Sequence, residues 1–276
     1  MFEWNPSPEI FSIGPLPIRW YSLSWIAAFV VGYQIFRWIN DREERSEHDL
    51  DSLFLHMLLG ALIGARLGHC LFYHPSHYLA NPLDIIAFWK GGVRGLASHG
   101  GALGILVSLY LYVRKHPDRS YLPLVDRVVI PTALGGAFIR LGNFFNSEIF
   151  GRVTDVPWAV TFLRIDNQPR HPTQLYESFS YLLIFGILLW DYRRRGAETP
   201  PGRLLGLFLA LIFTARFLIE FVKVRLSEYG QDIPLSTGQL LSIPMVIAGL
   251  TLIWYSSRVA VEAKSESRQA KRKKNR

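Results

Sequence analysis

Arg140-Leu-Gly-Asn-Phe-Phe-Asn-Ser-Glu-Ile-Phe-Gly151 follows an apolar run, Val128 to Ile139, broken only by Pro131, Thr132 and the Gly135-Gly136 pair. A guanidinium at the end of such a run is costly in hydrocarbon, so an arginine there points to function by default. If the helix continues through it, Arg140 and Asn143 stand at i and i+3 on one face, with Asn146 over the next turn. One cation and two carboxamides then converge where a membrane helix ends. That set suits a phosphate: the guanidinium offers a planar fork of donors, and the amides hydrogen-bond ester oxygens. The alternative is structural, with Arg140 snorkelling to the interface and the asparagines capping the helix end.

The rest of the composition fits a membrane setting. Of 276 residues, 50% are hydrophobic and the mean hydropathy is +0.17. Long apolar segments recur between short charged loops, which points to a polytopic, all-α integral membrane protein. A single cysteine, Cys70, excludes an internal disulfide and a multi-cysteine metal site. It lies in an apolar stretch and reads as packing. The N-terminus lacks a basic region before its first apolar run, so the first span is expected to serve for targeting.

Seven spans are expected: Ile18 to Trp38, Leu53 to Tyr73, Leu96 to Val113, Leu124 to Phe145, Leu175 to Trp190, Leu204 to Val222 and Leu240 to Tyr255. Each approaches the roughly 20 residues a bilayer needs, the fifth being the shortest. Residues 1–17, with Pro6, Pro8, Pro15 and Pro17, read as a leader at the interface. The stretch from Asn146 to Gln174 is too rich in proline and charge to cross.

Lysine and arginine set the orientation. Nineteen of the 30 fall in one set of loops: Arg37, Arg42, Arg45, Arg114, Lys115, Arg119, Arg127, Arg193 to Arg195, Arg203 and the eight from Arg258 onward. Eight fall opposite: Arg19, Lys90, Arg94, Arg152, Arg164, Arg170, Lys223 and Arg225. Arg66, Arg140 and Arg216 lie within spans. The bias predicts an external N-terminus and a cytoplasmic C-terminus. The net charge of +8 is then a positive-inside and lipid-surface feature rather than a nucleic-acid footprint. It also gathers the ends of the third-span entry, the fourth span and the first span's Tyr21 at the external face.

Other residues carry two readings each. His99, followed by Gly100 and Gly101, can exchange a proton near neutral pH, or it simply bonds a neighbouring loop. Tyr21 donates a phenolic hydrogen bond, or anchors in an aromatic belt. Arg216 and Glu220, at i and i+4, read as a self-neutralising pair. In His171-Pro-Thr-Gln-Leu-Tyr-Glu177 the amide and acidic groups suit the N-terminus of the fifth span. No Gly-x-Ser-x-Gly elbow, P-loop, His-Glu-x-x-His or Cys-x-x-Cys occurs, so for an enzyme the nucleophile belongs to the substrate. A transporter with an anion-gating arginine and broken helices, and a lipid-binding scaffold without turnover, stay open on composition and spacing alone.

The segment Arg140 to Gly151 also resembles the signature of bacterial prolipoprotein diacylglyceryl transferases. The similarity extends to Phe11-Ser-Ile-Gly-Pro15 with Trp20-Tyr21, Gly64-Ala-Arg-Leu-Gly68, His99-Gly-Gly101, His171 to Glu177, Arg216-Phe-Leu-Ile-Glu-Phe221 and Gly238-Gln-Leu-Leu-Ser-Ile-Pro244, in the family's order. The resemblance implies transfer of a diacylglyceryl group from phosphatidylglycerol to the thiol of a lipobox cysteine in a prolipoprotein, with release of glycerol 1-phosphate. It places the enzyme in the bacterial inner membrane with its site toward the outer face. Residues 1–257 then form one catalytic membrane domain and 258–276 a basic cytoplasmic tail.

By the same resemblance the family's essential arginine and asparagine fall on Arg140 and Asn143, its closing glycine on Gly151, its tyrosine on Tyr21 and its histidine on His99. Arg140, His99 and Tyr21 are the expected catalytic residues, and Arg140, Asn143 and Gly151, with Asn146 from its place over the next turn, are expected to hold the headgroup. A second family arginine is expected after Glu220-Phe221; Lys223 stands at that position and Arg225 two residues on. Lysine keeps the charge but loses the bidentate fork. Ile139 replaces the family's usual glycine before the signature arginine. Membrane lipids are the surrounding partners, and neither metal nor other cofactor is implied, because the lipid phosphoester supplies the leaving group.

Overall fold

The computed structural model describes residues 2–14, 16–86, 95–224 and 234–274, with side chains as far as residue 261 except that of Leu16. Lys90, Arg94 and Arg225 lie outside the described residues. Among the described residues eight α-helices follow in order: α1 (Trp20–Arg42), α2 (Glu47–Phe72), the short α3 (Pro75–Ala80), α4 (Ser98–Lys115), α5 (Tyr121–Phe145), α6 (Thr173–Arg195), α7 (Arg203–Ile219) and α8 (Thr237–Lys274). Short strands occupy the segments between: β1 (Phe2–Trp4), β2 (Glu9–Ile13), β3 (Leu16–Arg19), β4 (Val160–Phe162) and β5 (Pro169–Arg170).

Each expected span falls on one of the seven long helices. Five of these are long and apolar enough to cross a membrane: Trp20–Arg42, Glu47–Phe72, Tyr121–Phe145, Arg203–Val222 and Thr237–Val261. The other two are α4, of 18 residues, and α6, which carries Gln174 and Glu177 near one end and Asp191 with three arginines at the other. Some boundaries move. The second span begins at Glu47 rather than Leu53, because Ser46 caps the helix by accepting the Asp49 N–H at 3.2 Å, and Glu47 and Asp49 complement the first turn. Within the leader, Phe2–Trp4 and Glu9–Ile13 are strand and a third strand starts at Leu16.

The chain divides into two compact units, residues 1–36 with 126–276, and residues 37–125. In the first, β1 pairs in parallel with β4, matching Phe2 to Val160 and Trp4 to Phe162, and β4 pairs antiparallel with β5. Trp4, Phe150 and Leu175 pack on a core of Phe144, Val160 and Phe162. Trp4 donates its indole N–H to the Phe144 carbonyl at 3.0 Å, so the extreme N-terminus is fastened to the end of α5. β2 and β3 form a hairpin that runs directly into α1, and Trp20 stacks on Phe145 at 4.7 Å.

Buried Asp126, on α5, accepts the N–H groups of Gly202 and Leu205, each at 2.7 Å. It thus supplies from another helix the N-terminal cap that α7 lacks locally, Gly202 offering no side chain. Helices α7 and α8 approach closely at Gly206 and Gly249, where an added Cβ on Gly249 would lie 2.5 Å from the Ala210 nitrogen.

The second unit rests on small residues. Gly60, Gly64 and Gly68 of α2 face Gly100, Gly104 and Ser108 of α4; a Cβ on Gly64 would lie 2.4 Å from the Gly100 carbonyl oxygen, and one on Gly104 2.0 Å from that of Gly60. This spacing of four lets two helix backbones touch, the usual route to helix association in lipid, where apolar burial against other helices gains little. Arg66, on α2, is spent structurally: Nε donates to the Ile85 carbonyl and Nη2 to that of Asp84, both at 2.7 Å, while the guanidinium lies over Tyr78.

Candidate functional site

The site is built on the last turn of α5. Ser147 takes a left-handed conformation (φ 57°), its N–H bonds the Phe144 carbonyl at 3.0 Å, and the Glu148 N–H bonds that of Asn143 at 2.9 Å. This is a Schellman closure, which satisfies the carbonyls a helix end leaves free. The reversal brings Glu148 back over the helix, where Oε2 accepts Asn143 Nδ2 at 3.0 Å and Oε1 accepts Asn146 Nδ2 at 3.2 Å. Asn143 is buried and, through Oδ1, accepts Arg140 Nη1 at 3.3 Å. The i, i+3 relationship expected between Arg140 and Asn143 is therefore a direct contact, and Asn146 joins it through Glu148.

Ile149 follows at φ 56°, a conformation that costs a β-branched residue about 1–3 kcal/mol. Its carbonyl is held by Thr173 Oγ1 at 2.8 Å, and the Glu148 carbonyl by Gln174 Nε2 at 2.5 Å. These two side chains at the start of α6 thus bind the preceding loop rather than cap their own helix; the N-cap is Pro172, which makes no side-chain bond. Here the reading of this segment as a capping sequence is corrected.

Glu177 changes more. Its side chain is completely buried, and it carries one cation on each oxygen: Arg140 Nε stands 3.0 Å from Oε2, and Lys223 Nζ donates to Oε1 at 2.7 Å. Oε2 accepts no aligned hydrogen bond, so the Arg140 contact is an ion pair. Gln174, Glu177, Ser178 and Tyr181, at i, i+3, i+4 and i+7, form one buried face of α6. Ser178 donates to the Ala137 carbonyl at 3.1 Å, and the Tyr181 ring fills the space at Gly136, where a Cβ would come within 2.9 Å. A polar stripe at that spacing was the signal for this face.

Lys223 is delivered by backbone pairing. Gly151 forms an antiparallel bridge with it, the Arg152 N–H bonds the Val222 carbonyl at 2.8 Å, and the Gly151 N–H bonds that of His171 at 2.9 Å. A Cβ at Gly151 would meet the His171 Cβ and the Val222 oxygen, each at 2.6 Å. Gly151 thus contributes close backbone approach. Tyr21, half-buried on α1, packs its ring against Gly142 and, like Tyr181, is within electrostatic reach of Arg140.

The pairing of Arg216 with Glu220 does not occur among the described residues. Glu220 instead accepts the Ser236 hydroxyl at 3.0 Å and lies 4.0 Å from Lys223 Nζ. Arg216 Nε is buried without a hydrogen-bond partner, and Tyr181 senses the charges of both Arg216 and Arg140. Glu148 and Tyr181 join the cluster without a sequence signal of their own, and Glu177, expected only to suit a helix N-terminus, stands at its centre. His99 belongs to the second unit: it is exposed in the first turn of α4, its ring against Phe72 at 5.5 Å and Tyr73 at 6.0 Å. The two glycines after it face α2. Arg225 is outside the described residues.

Beside the cluster, His171 Nδ1 lies 3.1 Å from the Tyr176 hydroxyl, which accepts the Trp158 indole N–H at 2.7 Å. Burial lowers the His171 pKa below its ordinary value, since a charged imidazole loses hydration there. Asp166 is shifted down by its hydrogen bonds from Arg170.

The cluster thus holds a guanidinium and an ammonium on the two oxygens of Glu177, joined through Asn143 to Glu148 and Asn146. Comparison with known proteins identifies the family. The family model for prolipoprotein diacylglyceryl transferase matches residues 8–255. A phosphatidylglycerol–prolipoprotein diacylglyceryl transferase of Chloroherpeton thalassium is 50% identical over 257 residues, 93% of this chain and 95% of its own length. Proteins of the same description from Tolumonas auensis and Bacteroides fragilis are 46% and 41% identical, over 94% and 92% of this chain and 98% and 94% of their own lengths. The chain belongs to the prolipoprotein diacylglyceryl transferase family.

Proposed function

We propose that this protein transfers the diacylglyceryl group of phosphatidylglycerol to a prolipoprotein, joining it to the thiol of the lipobox cysteine and releasing glycerol 1-phosphate. The observation that carries this is the buried cluster of Arg140, Asn143, Glu177 and Lys223, in a chain of this family. A free thiol has a pKa near 8.5 and is mostly protonated at pH 7, so a base that removes its proton speeds attack; His99 is assigned that role. The thiolate sulfur bonds the glycerol carbon that bears the phosphate. The C–O bond breaks, its electron pair passes to the phosphate oxygen, and the thiol proton leaves through the base to solvent.

Charge therefore grows on the departing phosphate. Arg140, together with Arg216, whose Nε is buried without a hydrogen-bond partner, meets that charge. Asn143 holds Arg140 in place, and Asn146 ties the turn through Glu148. Donors aimed where charge develops stabilise the transition state more than the ground state, and losing one costs on the order of 100-fold in rate or more. Tyr21 lines the same region from α1, and Gly151 sets the position of Lys223.

The chain is a multi-pass membrane protein. In the reading favoured here it has seven spans, an external N-terminus, a site facing the outer side of the bacterial inner membrane, a catalytic domain over residues 1–257 and a basic tail over 258–276 on the anionic cytoplasmic lipid surface, with no nucleic-acid partner. Nineteen basic residues on one set of loops against eight on the other support the orientation.

The test is turnover by purified protein in detergent with phosphatidylglycerol and a one-cysteine lipobox peptide, following glycerol phosphate release and the mass of the peptide together. Both signals, lost in a stably folded Arg140→Ala variant, are expected. Binding of lipid and peptide by the folded wild type without either product would favour a lipid-binding scaffold instead.

A further inference from the structure

We infer that Glu177 is a charge-setting positioning residue that makes the site selective for the singly charged phosphodiester of a lipid over a doubly charged phosphate monoester. The inference rests on the transferase reading above. Arg140, Glu177 and Lys223 together carry one net positive charge, in a place where Glu177 is wholly buried and the side chains of Lys223 and Arg140 are only 12% and 19% exposed. Arg216, on α7, and Glu220, in the 3-10 turn that follows it, do not change the count, since they carry opposite charges. Glu148 is exposed to solvent, which screens it.

A lipid phosphodiester bears one negative charge and neutralises this cluster. When the C–O bond breaks, the phosphate becomes a monoester, which above about pH 6 carries close to two charges. Three groups with one net charge cannot neutralise it, and Glu177 already takes one donor face of both cations. Glu177 thus competes with the product for Arg140 and Lys223, while fixing them for the next lipid. A carboxylate buried between two cations would be an odd choice if tight anion binding were the only requirement, since removing it would free both donors. It is the expected choice where an anion must form in the site and then leave.

The experiment uses the full-length protein in detergent and reads glycerol 1-phosphate in two ways, by direct calorimetric binding and by product inhibition of the transferase assay. Glu177→Gln keeps the shape and an oxygen for Lys223 but adds one net charge. It is expected to bind glycerol 1-phosphate about tenfold more tightly or better, with kcat lowered by slow release, since one unpaired charge in a poorly hydrated site is worth at least that much. Glu177→Asp is expected to restore weak binding. The double variant Glu177→Gln/Lys223→Met returns the net charge to that of the wild type and is expected to return binding to within about threefold of it. A purely structural role for Glu177 would instead lower turnover with no tightening, and would leave the double variant worse than either single one; that pattern overturns the inference. If Glu177→Gln does not fold, Lys223→Met alone decides: weaker glycerol 1-phosphate binding supports the assignment, and unchanged binding overturns it. Binding shifts of the expected size in a wild-type protein that makes no lipidated peptide would overturn the transferase reading and leave the charge assignment standing.

Discussion

Gly151 and Lys223 pair backbone to backbone as an antiparallel bridge, although one closes the turn after α5 and the other follows the 3-10 turn, residues 220–222, that extends α7. That bridge is what turns the Lys223 ammonium inward onto Glu177. Any side chain at position 151 would strike His171 and the Val222 carbonyl.

Gly151→Ala is accordingly expected to leave the protein folded in the membrane while pushing the 220–223 segment away from the cluster. Because positioning errors of about 1 Å cost on the order of 100-fold in rate, turnover is expected to fall by that factor with little change in thermal midpoint. Near-normal turnover in this variant would remove the bridge from the catalytic argument.

His99→Gln tests the base. The substitution keeps a hydrogen-bonding side chain but removes the imidazole nitrogen that would accept the thiol proton. Turnover is expected to drop by roughly 100-fold, and the acidic limb of its pH–rate profile is expected to disappear. A profile of wild-type shape would exclude His99 from proton removal.

His171 gives a second pH signature, in stability rather than rate. Its folded pKa lies below its ordinary value, so above about pH 6.5 the imidazole is neutral in both folded and unfolded chains and costs nothing. As pH falls below that value the unfolded chain takes up the proton and the folded one resists, so stability is lost progressively down to the folded pKa. Hydrogen exchange across residues 151–171, corrected for its intrinsic pH dependence, is expected to show more opening at pH 5.5 than at pH 7.5 in the wild type. His171→Asn should remove the difference; persistence of the same difference would assign it elsewhere.

Asp126→Ala removes the remote cap of α7 and leaves the Gly202 and Leu205 N–H groups without their acceptor. A loss of about 2 kcal/mol is expected, read as a lower thermal midpoint in detergent, with turnover at low temperature largely kept. An unchanged midpoint would mean that other groups satisfy the start of α7.

How much of this was legible beforehand depended on the range of the physical signal. Apolar runs placed the seven long helices, five of which are long and apolar enough to cross a bilayer. The Arg140–Asn143 contact was legible for a similar reason: a helix forces i and i+3 onto one face, and both residues lie inside α5. The pairing proposed for Arg216 and Glu220 failed although it used the same rule, because α7 ends at Ile219 and Glu220 turns to Ser236.

Glu177 was misjudged for want of distance information. Read locally, an acidic residue in the first turns of a helix complements the dipole, and nothing within four residues contradicts that. Its partner Lys223 lies 46 residues away, and which cation reaches a buried carboxylate depends on the loop that Gly151 zips into place. The GxxxG-like faces of α2 and α4 were present in the letters as glycines four apart, yet a stripe of small residues does not name its mate.

The sequence by itself determined the long helices, the basic asymmetry of the loops and the polar end of α5, because hydrophobic length, charge and helical periodicity act on neighbours along the chain. Only the tertiary structure decided that a carboxylate on α6 stands between an arginine on α5 and a lysine beyond α7. An ion in a poorly hydrated interior must be neutralised by whatever folding brings within a few ångströms, and that choice is made in space, not in sequence.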